Sequence, residues 1–209
     1  MYKRQVQSWY LGSVGSEALT DILCGDINPS GKLPFSYPVK LEDCPAHYYG
    51  TMSYPGDNVK QEYKEDILVG YRWHDTKRIK PLFPFGYGMS YTEFKYTKAK
   101  ASSSTITDDT PITVSLKVKN TGKYAGKEIV QLYIGDDESS ELRPVKELKG
   151  FTKVSLKPGE EKEVKFTITV DDLKFFSDKS HSWIAEPGKF KAYILSLIHI
   201  SEPTRLGMI

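Results

Sequence analysis

Ile112-Thr113-Val114-Ser115-Leu116-Lys117-Val118-Lys119-Asn120 decides how most of this chain folds. Ile112, Val114, Leu116 and Val118 alternate with Thr113, Ser115, Lys117 and Lys119, the period of two that buries one face of a strand and wets the other. Asn120-Thr121-Gly122 then ends the run with turn residues. The alternation recurs at Val130/Leu132/Ile134, at Val164/Phe166/Ile168/Val170 and at Phe190/Ala192/Ile194, with Lys157-Pro158-Gly159-Glu160 as a turn between two of the runs. Short strands at this spacing predict an antiparallel β-sandwich over residues 96–194. The polar stretch Ala101–Thr110 reads as an exposed loop inside it.

Upstream the pattern changes. In Val6–Pro38, Val14, Ala18, Leu19, Ile22 and Leu23 fall at helical spacing, with Ser13 as the expected N-cap and Gly25 just past the end. Leu33-Pro34-Phe35-Ser36-Tyr37-Pro38 is extended and confined to an edge by its prolines, so 6–38 reads as an α/β fragment. Its helix lacks strands to pack on, which predicts exposed apolar side chains at Ala18, Ile22 and Leu23. Residues 39–95 carry too many aromatics for a disordered linker and read as an ordered connector. The expected architecture is an α/β fragment followed by an all-β antiparallel sandwich.

Composition narrows the function. The 209 residues carry 29 Lys and Arg against 27 Asp and Glu, and the excess of +2 comes from Lys3, Arg4, Glu202 and Arg205 at the two ends. Residues 6–194 are therefore neutral, which removes the electrostatic case for nucleic-acid binding. No run of about 18 apolar residues suggests a membrane span. Cys24 and Cys44 have no metal or redox spacing, and His47, His74 and His181 have none that suits a metal, so no metal site is expected.

The termini read differently from the rest. Met1-Tyr-Lys-Arg-Gln5 back-translates to GTG TAT AAG AGA CAG, whose reverse complement encodes Leu-Ser-Leu-Ile-His, the sequence of residues 195–199. With Ile200 to Arg205 following, this resembles a translated sequencing adapter. The expectation is that 1–5 and 195–209 are adapter-derived, that Met1 is not a native start, and that the sandwich lacks its last strand.

The motifs that could carry chemistry are few. Gly12-Ser13-Val14-Gly15 matches no phosphate-binding loop and reads as a tight turn into a helix. Asp136-Asp137-Glu138, Glu160-Glu161 and Asp171-Asp172 sit at predicted turns and read as solvated carboxylates rather than a catalytic pair. Glu65-Asp66-Ile67-Leu68-Val69-Gly70-Tyr71-Arg72-Trp73-His74-Asp75 mixes aromatic rings that stack on sugar CH faces with groups that bond hydroxyls. Tyr71, Arg72 and Trp73 are the expected substrate-proximal residues; the competing reading is an interdomain strap whose Arg72 pairs locally.

Taken together, several strings resemble the C-terminal part of glycoside hydrolase family 3, the β-glucosidase and β-xylosidase family. Trp9-Tyr10-Leu11-Gly12 and Ala18 through Pro34 look like the end of its α/β sandwich domain. Tyr63 through Arg72 and Pro81 through Thr92 look like its connector. Lys119–Gly122, Gly126–Tyr133, Arg143–Phe151 and Leu156–Glu160 look like its fibronectin type III-like, immunoglobulin-like domain. Gly15-Ser16 departs from the Gly-Gly pair common there. The resemblance implies a truncated retaining β-glycosidase, most readily a β-glucosidase, acting on β-linked gluco- or xylo-oligosaccharides or glycosides with no cofactor. The family's nucleophilic Asp lies in an N-terminal barrel and its acid/base Glu in the upstream α/β domain. No catalytic residue is therefore expected in this chain, which should be inactive alone. The resemblance leaves the cellular compartment open. The alternative is a non-catalytic carbohydrate-binding or structural module, which needs an exposed planar aromatic row. Phe166 and Phe190 are expected inward, and Tyr133 and Tyr193 outward singly.

Overall fold

A computed structural model describes residues 5–196, 199–200 and 204–208. Helix α1 (Gly15–Cys24) is closed by Gly25, whose φ of 90° lets its N–H turn back to the Asp21 and Ile22 carbonyls. The tight turn before it is formed by Gly15 N–H donating to Gly12 O at 3.0 Å. Ser13 is not the N-cap: Val14 holds that position without a side-chain bond, because the turn already satisfies a leading amide. Ala18 and Leu23 are exposed, as their isolation from a sheet predicts, but Ile22 is half-buried, with Tyr91 Oη donating to its carbonyl at 2.6 Å.

The connector holds two short helices, α2 (Pro45–Tyr48) and α3 (Tyr71–Lys77). Leu33–Tyr37 does not add to an α/β sheet. It runs antiparallel to Phe83–Tyr87, with Leu33 N–H donating to Tyr87 O at 2.7 Å and Tyr37 N–H to Phe83 O at 2.8 Å. The first and second zones of the chain are thereby stitched into one layer.

The sandwich follows as β1 (Phe94–Ala101), β2 (Thr105–Ile106), β3 (Ile112–Asn120), β4 (Gly126–Asp136), β5 (Glu147–Leu156), β6 (Glu161–Ile168), β7 (Phe175–Ser177), β8 (Ser182–Ile184), β9 (Lys189–Ser196), β10 (His199–Ile200) and β11 (Thr204–Met208). One sheet has the order β1-β3-β6, and the other β2-β11-β9-β4-β5 with β10 also on β9. Ile112, Val114, Leu116 and Val118 face Val130, Leu132, Ile134, Phe190, Ala192 and Ile194 in one buried core, as the alternation predicts. The loop at 101–110 is less exposed than expected, since Ile106 of β2 is buried in that core.

The sequence predicts a sandwich that stops at 194 without its last strand. Instead Thr204–Met208 lies antiparallel to β9 and parallel to β2. Pairing along a free edge uses backbone N–H and C=O groups alone, so it makes little demand on the side chains of the residues that supply it.

Strand β4 is buried on both faces over residues 130–135, with Gln131 and Tyr133 buried as well as Val130 and Leu132. A two-sheet sandwich wets the outer face of each sheet. Here the connector covers that face and makes a third layer.

Candidate functional site

The predicted site residues lie where the connector meets the sandwich. In α3 the positions 71, 72, 75 and 76 form one face, two i,i+4 pairs side by side. Each engages Val145–Leu148. Tyr71 Oη accepts from Leu148 N–H at 2.8 Å, and Thr76 Oγ1 accepts from Val145 N–H at 3.1 Å. Arg72 pairs with Glu147 at 3.2 Å and Asp75 with Lys146 at 2.9 Å. The Tyr71 ring also stacks on Phe85 at 5.0 Å and meets Tyr133 edge-on at 5.6 Å.

The opposite face of α3 carries Trp73 and His74, both buried. Trp73 is 0% exposed; its Nε1 donates to Asp43 O at 3.0 Å and its ring packs edge-on against Tyr48 and Tyr49. His74 Nδ1 lies 3.1 Å from Ile79 O, and since a carbonyl only accepts, that nitrogen carries the proton. The structure brings Tyr71, Arg72 and Trp73 together, but Trp73 has no free face for a sugar ring, and Tyr71 and Arg72 are spent on β4 and β5. The arrangement is that of an interdomain strap, although Arg72 pairs with a residue of the sandwich and not locally.

Behind the strap lies an ionic cluster that sequence reading missed. Arg143 donates to Asp136 and to Glu147, each at 3.0 Å, and to Leu173 O at 3.1 Å, while its guanidinium covers the Phe175 ring at 5.3 Å. The Arg143 and Asp136 side chains are 6% and 2% exposed, so Asp136 is not the solvated turn carboxylate expected. It is kept buried because Arg143, arriving from seven residues downstream, supplies both charge and donors. Asp136 and Glu147 are thus both tied to one guanidinium. Burial pushes the nearby Lys149 ammonium below the usual lysine range, with Glu147 opposing.

Tyr133 also departs from expectation. It points away from the sandwich core, as the alternation requires, yet the connector buries it to 3% exposure. Its hydroxyl donates to Gln131 Oε1 at 2.6 Å. Gly86 lies against Gln131 with φ 79°, a left-handed backbone that favours glycine, and a Cβ there would sit 2.7 Å from Gln131 Nε2 and push the end of that side chain aside. Burial raises the Tyr133 pKa above the usual tyrosine range. Above about pH 10 the unfolded chain releases this proton and the folded chain holds it, so stability falls as pH rises. Tyr133→Phe is expected to flatten that alkaline limb in urea titrations between pH 8 and 11. An unchanged slope would mean that another group governs it.

A second fastening joins residues 28–32 to the sandwich. Lys32 bridges to buried Glu128 at 3.2 Å and donates to Gly88 O at 2.9 Å, and Glu128 also accepts from Tyr96 Oη at 3.1 Å. Asn28 donates to Ala125 O at 2.9 Å and accepts from Tyr91 N–H at 2.9 Å. Asn120, the last residue of β3, accepts from Thr92 Oγ1 at 2.6 Å and donates to Tyr124 O and Leu156 O. The residues of the turn signal are thus the interdomain staple as well.

Comparison with known proteins accounts for this three-layer arrangement. Residues 3–91 match the glycosyl hydrolase family 3 C-terminal domain, and residues 128–196 match the fibronectin type III-like domain. The chain belongs to glycoside hydrolase family 3. Among family members, the β-glucosidase BoGH3A of Bacteroides ovatus is 72% identical over 189 residues, which is 90% of this chain and 25% of that protein. The thermostable β-glucosidase B of Acetivibrio thermocellus is 47% identical over 188 residues, 90% of this chain and 24% of that protein. The crystal structure of a Bifidobacterium adolescentis family 3 β-glucosidase superposes with a TM-score of 0.87 at 32% identity, covering 97% of this chain and 29% of that one. β-Glucosidase 3B of Thermotoga neapolitana, solved with α-D-glucose, gives 0.84 at 36% identity, covering 95% and 27%. The chain spans about a quarter of the length of the curated relatives it matches.

Proposed function

We propose that this chain is the C-terminal portion of a retaining β-glucosidase and that its own contribution is mechanical. Its sandwich and connector hold the end of the α/β domain in place, while the nucleophile and acid/base lie upstream. The observation that carries the reading is the 72% identity to a β-glucosidase over 189 residues, the length of 6–194. Within it, Tyr71, Arg72 and Trp73 act on substrate only through the position of the connector. Residues 1–5 and 195–209 are adapter-derived in this reading.

The test begins by recovering the coding sequence across both ends from source DNA and expressing the intact enzyme. It is expected to hydrolyse an aryl β-glucoside and to release the β-anomer first by proton NMR, as a double-displacement mechanism requires. The 209-residue chain alone is expected to show no hydrolysis. Turnover by the chain alone at a rate near that of the intact enzyme would overturn the assignment.

A further inference from the structure

The β7–β8 hairpin is a two-stranded sheet separate from both sheets of the sandwich. Its inward residues are fixed: Phe175 lies buried under the Arg143 guanidinium, and Ser177 Oγ donates to Glu141 at 2.7 Å. Its outward residues are Phe176 and Trp183, directly opposite in register, with rings 5.9 Å apart and inclined at 74°. They are 46% and 66% exposed, although the inward face of the same hairpin had buried positions to offer. The closing turn carries Asp178, Lys179, Ser180 and His181, all exposed, and the Ser180 and Ser182 hydroxyls lie 2.9 Å apart.

We propose that Phe176 and Trp183 form an accessory sugar-binding site for polymeric β-glucan, outside the catalytic centre. This rests on the β-glucosidase reading above. A protein partner needs an interface of about 800 Å² per side with an apolar centre, and two rings bordered by a charged and hydroxylic turn supply far less. A pyranose ring suits them better: inclined at 74°, the two rings make no planar row, so one flat CH face stacks on the Trp183 indole alone, and its rim of hydroxyls needs donors and acceptors, which the exposed turn residues Asp178, Lys179, Ser180 and His181 carry. Because the hairpin is pinned from behind by Arg143 and Glu141, the rings are presented without an ordering cost at the moment of binding. Such a site brings the enzyme to its polymer and leaves turnover of small glycosides alone.

The test is affinity electrophoresis of the intact enzyme in native gels containing hydroxyethyl cellulose, a soluble β-linked glucan. Wild type is expected to be retarded. Trp183→Ala is expected to weaken the apparent affinity at least fivefold, and Trp183→Tyr to recover part of it, with kcat/KM on an aryl β-glucoside unchanged in both. Absence of retardation in the wild type, or equal retardation of wild type and Trp183→Ala, would overturn the site. Loss of retardation together with a change in sedimentation coefficient without glucan would assign the rings to self-association and also overturn it. If wild type turns over no aryl glucoside but the Trp183-dependent retardation persists, the glucosidase reading fails and the sugar site stands.

Discussion

Arg143→Met is expected to cost about 3–5 kcal/mol, the range for breaking a buried ion pair by removing one partner. The mutation strands the Asp136 carboxylate, 2% exposed, and takes a donor from Leu173 O. It also releases Glu147 on one side, leaving it to Arg72 of the connector and to Lys149 at 3.8 Å. Urea unfolding followed by far-ultraviolet circular dichroism reads the loss as a lower midpoint at unchanged slope. The double variant Asp136→Asn with Arg143→Met should recover part of the stability, since an amide left without a partner costs less than a carboxylate. A loss below about 1 kcal/mol for Arg143→Met would place the pair with solvent-screened surface bridges and contradict its burial.

Trp73→Ala is the second large effect, about 3–5 kcal/mol for emptying a fully buried aromatic site. Its location separates a strap from a substrate contact. The ring supports Tyr48 and Tyr49 and bonds Asp43 O, all within the connector. Hydrogen exchange should therefore accelerate across residues 40–90 while the amides of β3 and β4 keep their protection. In the intact enzyme, assayed well below the unfolding temperature, KM for an aryl β-glucoside should stay within twofold. A several-fold rise in KM with unchanged exchange would instead make Trp73 a sugar contact. Trp73→Phe, which refills most of the volume, should restore stability but not the Asp43 bond.

The two zones differ in how much their residues disclosed. In the sandwich, alternation at 112–118, 130–134 and 190–194 identifies the inward faces, because a strand with one wet face must place its apolar residues two apart. The helix at 15–24 and its glycine stop were legible for the same kind of reason, a local rule with a local residue. Ser13 was the exception, since the helix starts at Gly15 after a backbone turn and Val14 takes the N-cap position. In the connector no periodic signal exists, and the strap became visible only once α3 lay against Val145–Leu148.

What the sequence by itself determined was therefore the class of each zone, the inward faces of the main strands and, through its ordered motifs, membership of the family. What only the tertiary structure decided was which polar and aromatic residues are spent on holding the layers together. Tyr133 reads as outward from its strand and is buried by a connector 62 residues earlier at Tyr71. Asp136 reads as a turn carboxylate and is buried by Arg143. Periodicity reports only what a strand does to its own two faces. Whether an outward face meets water or a third layer depends on packing between segments far apart in the chain, and single-residue patterns carry no record of it.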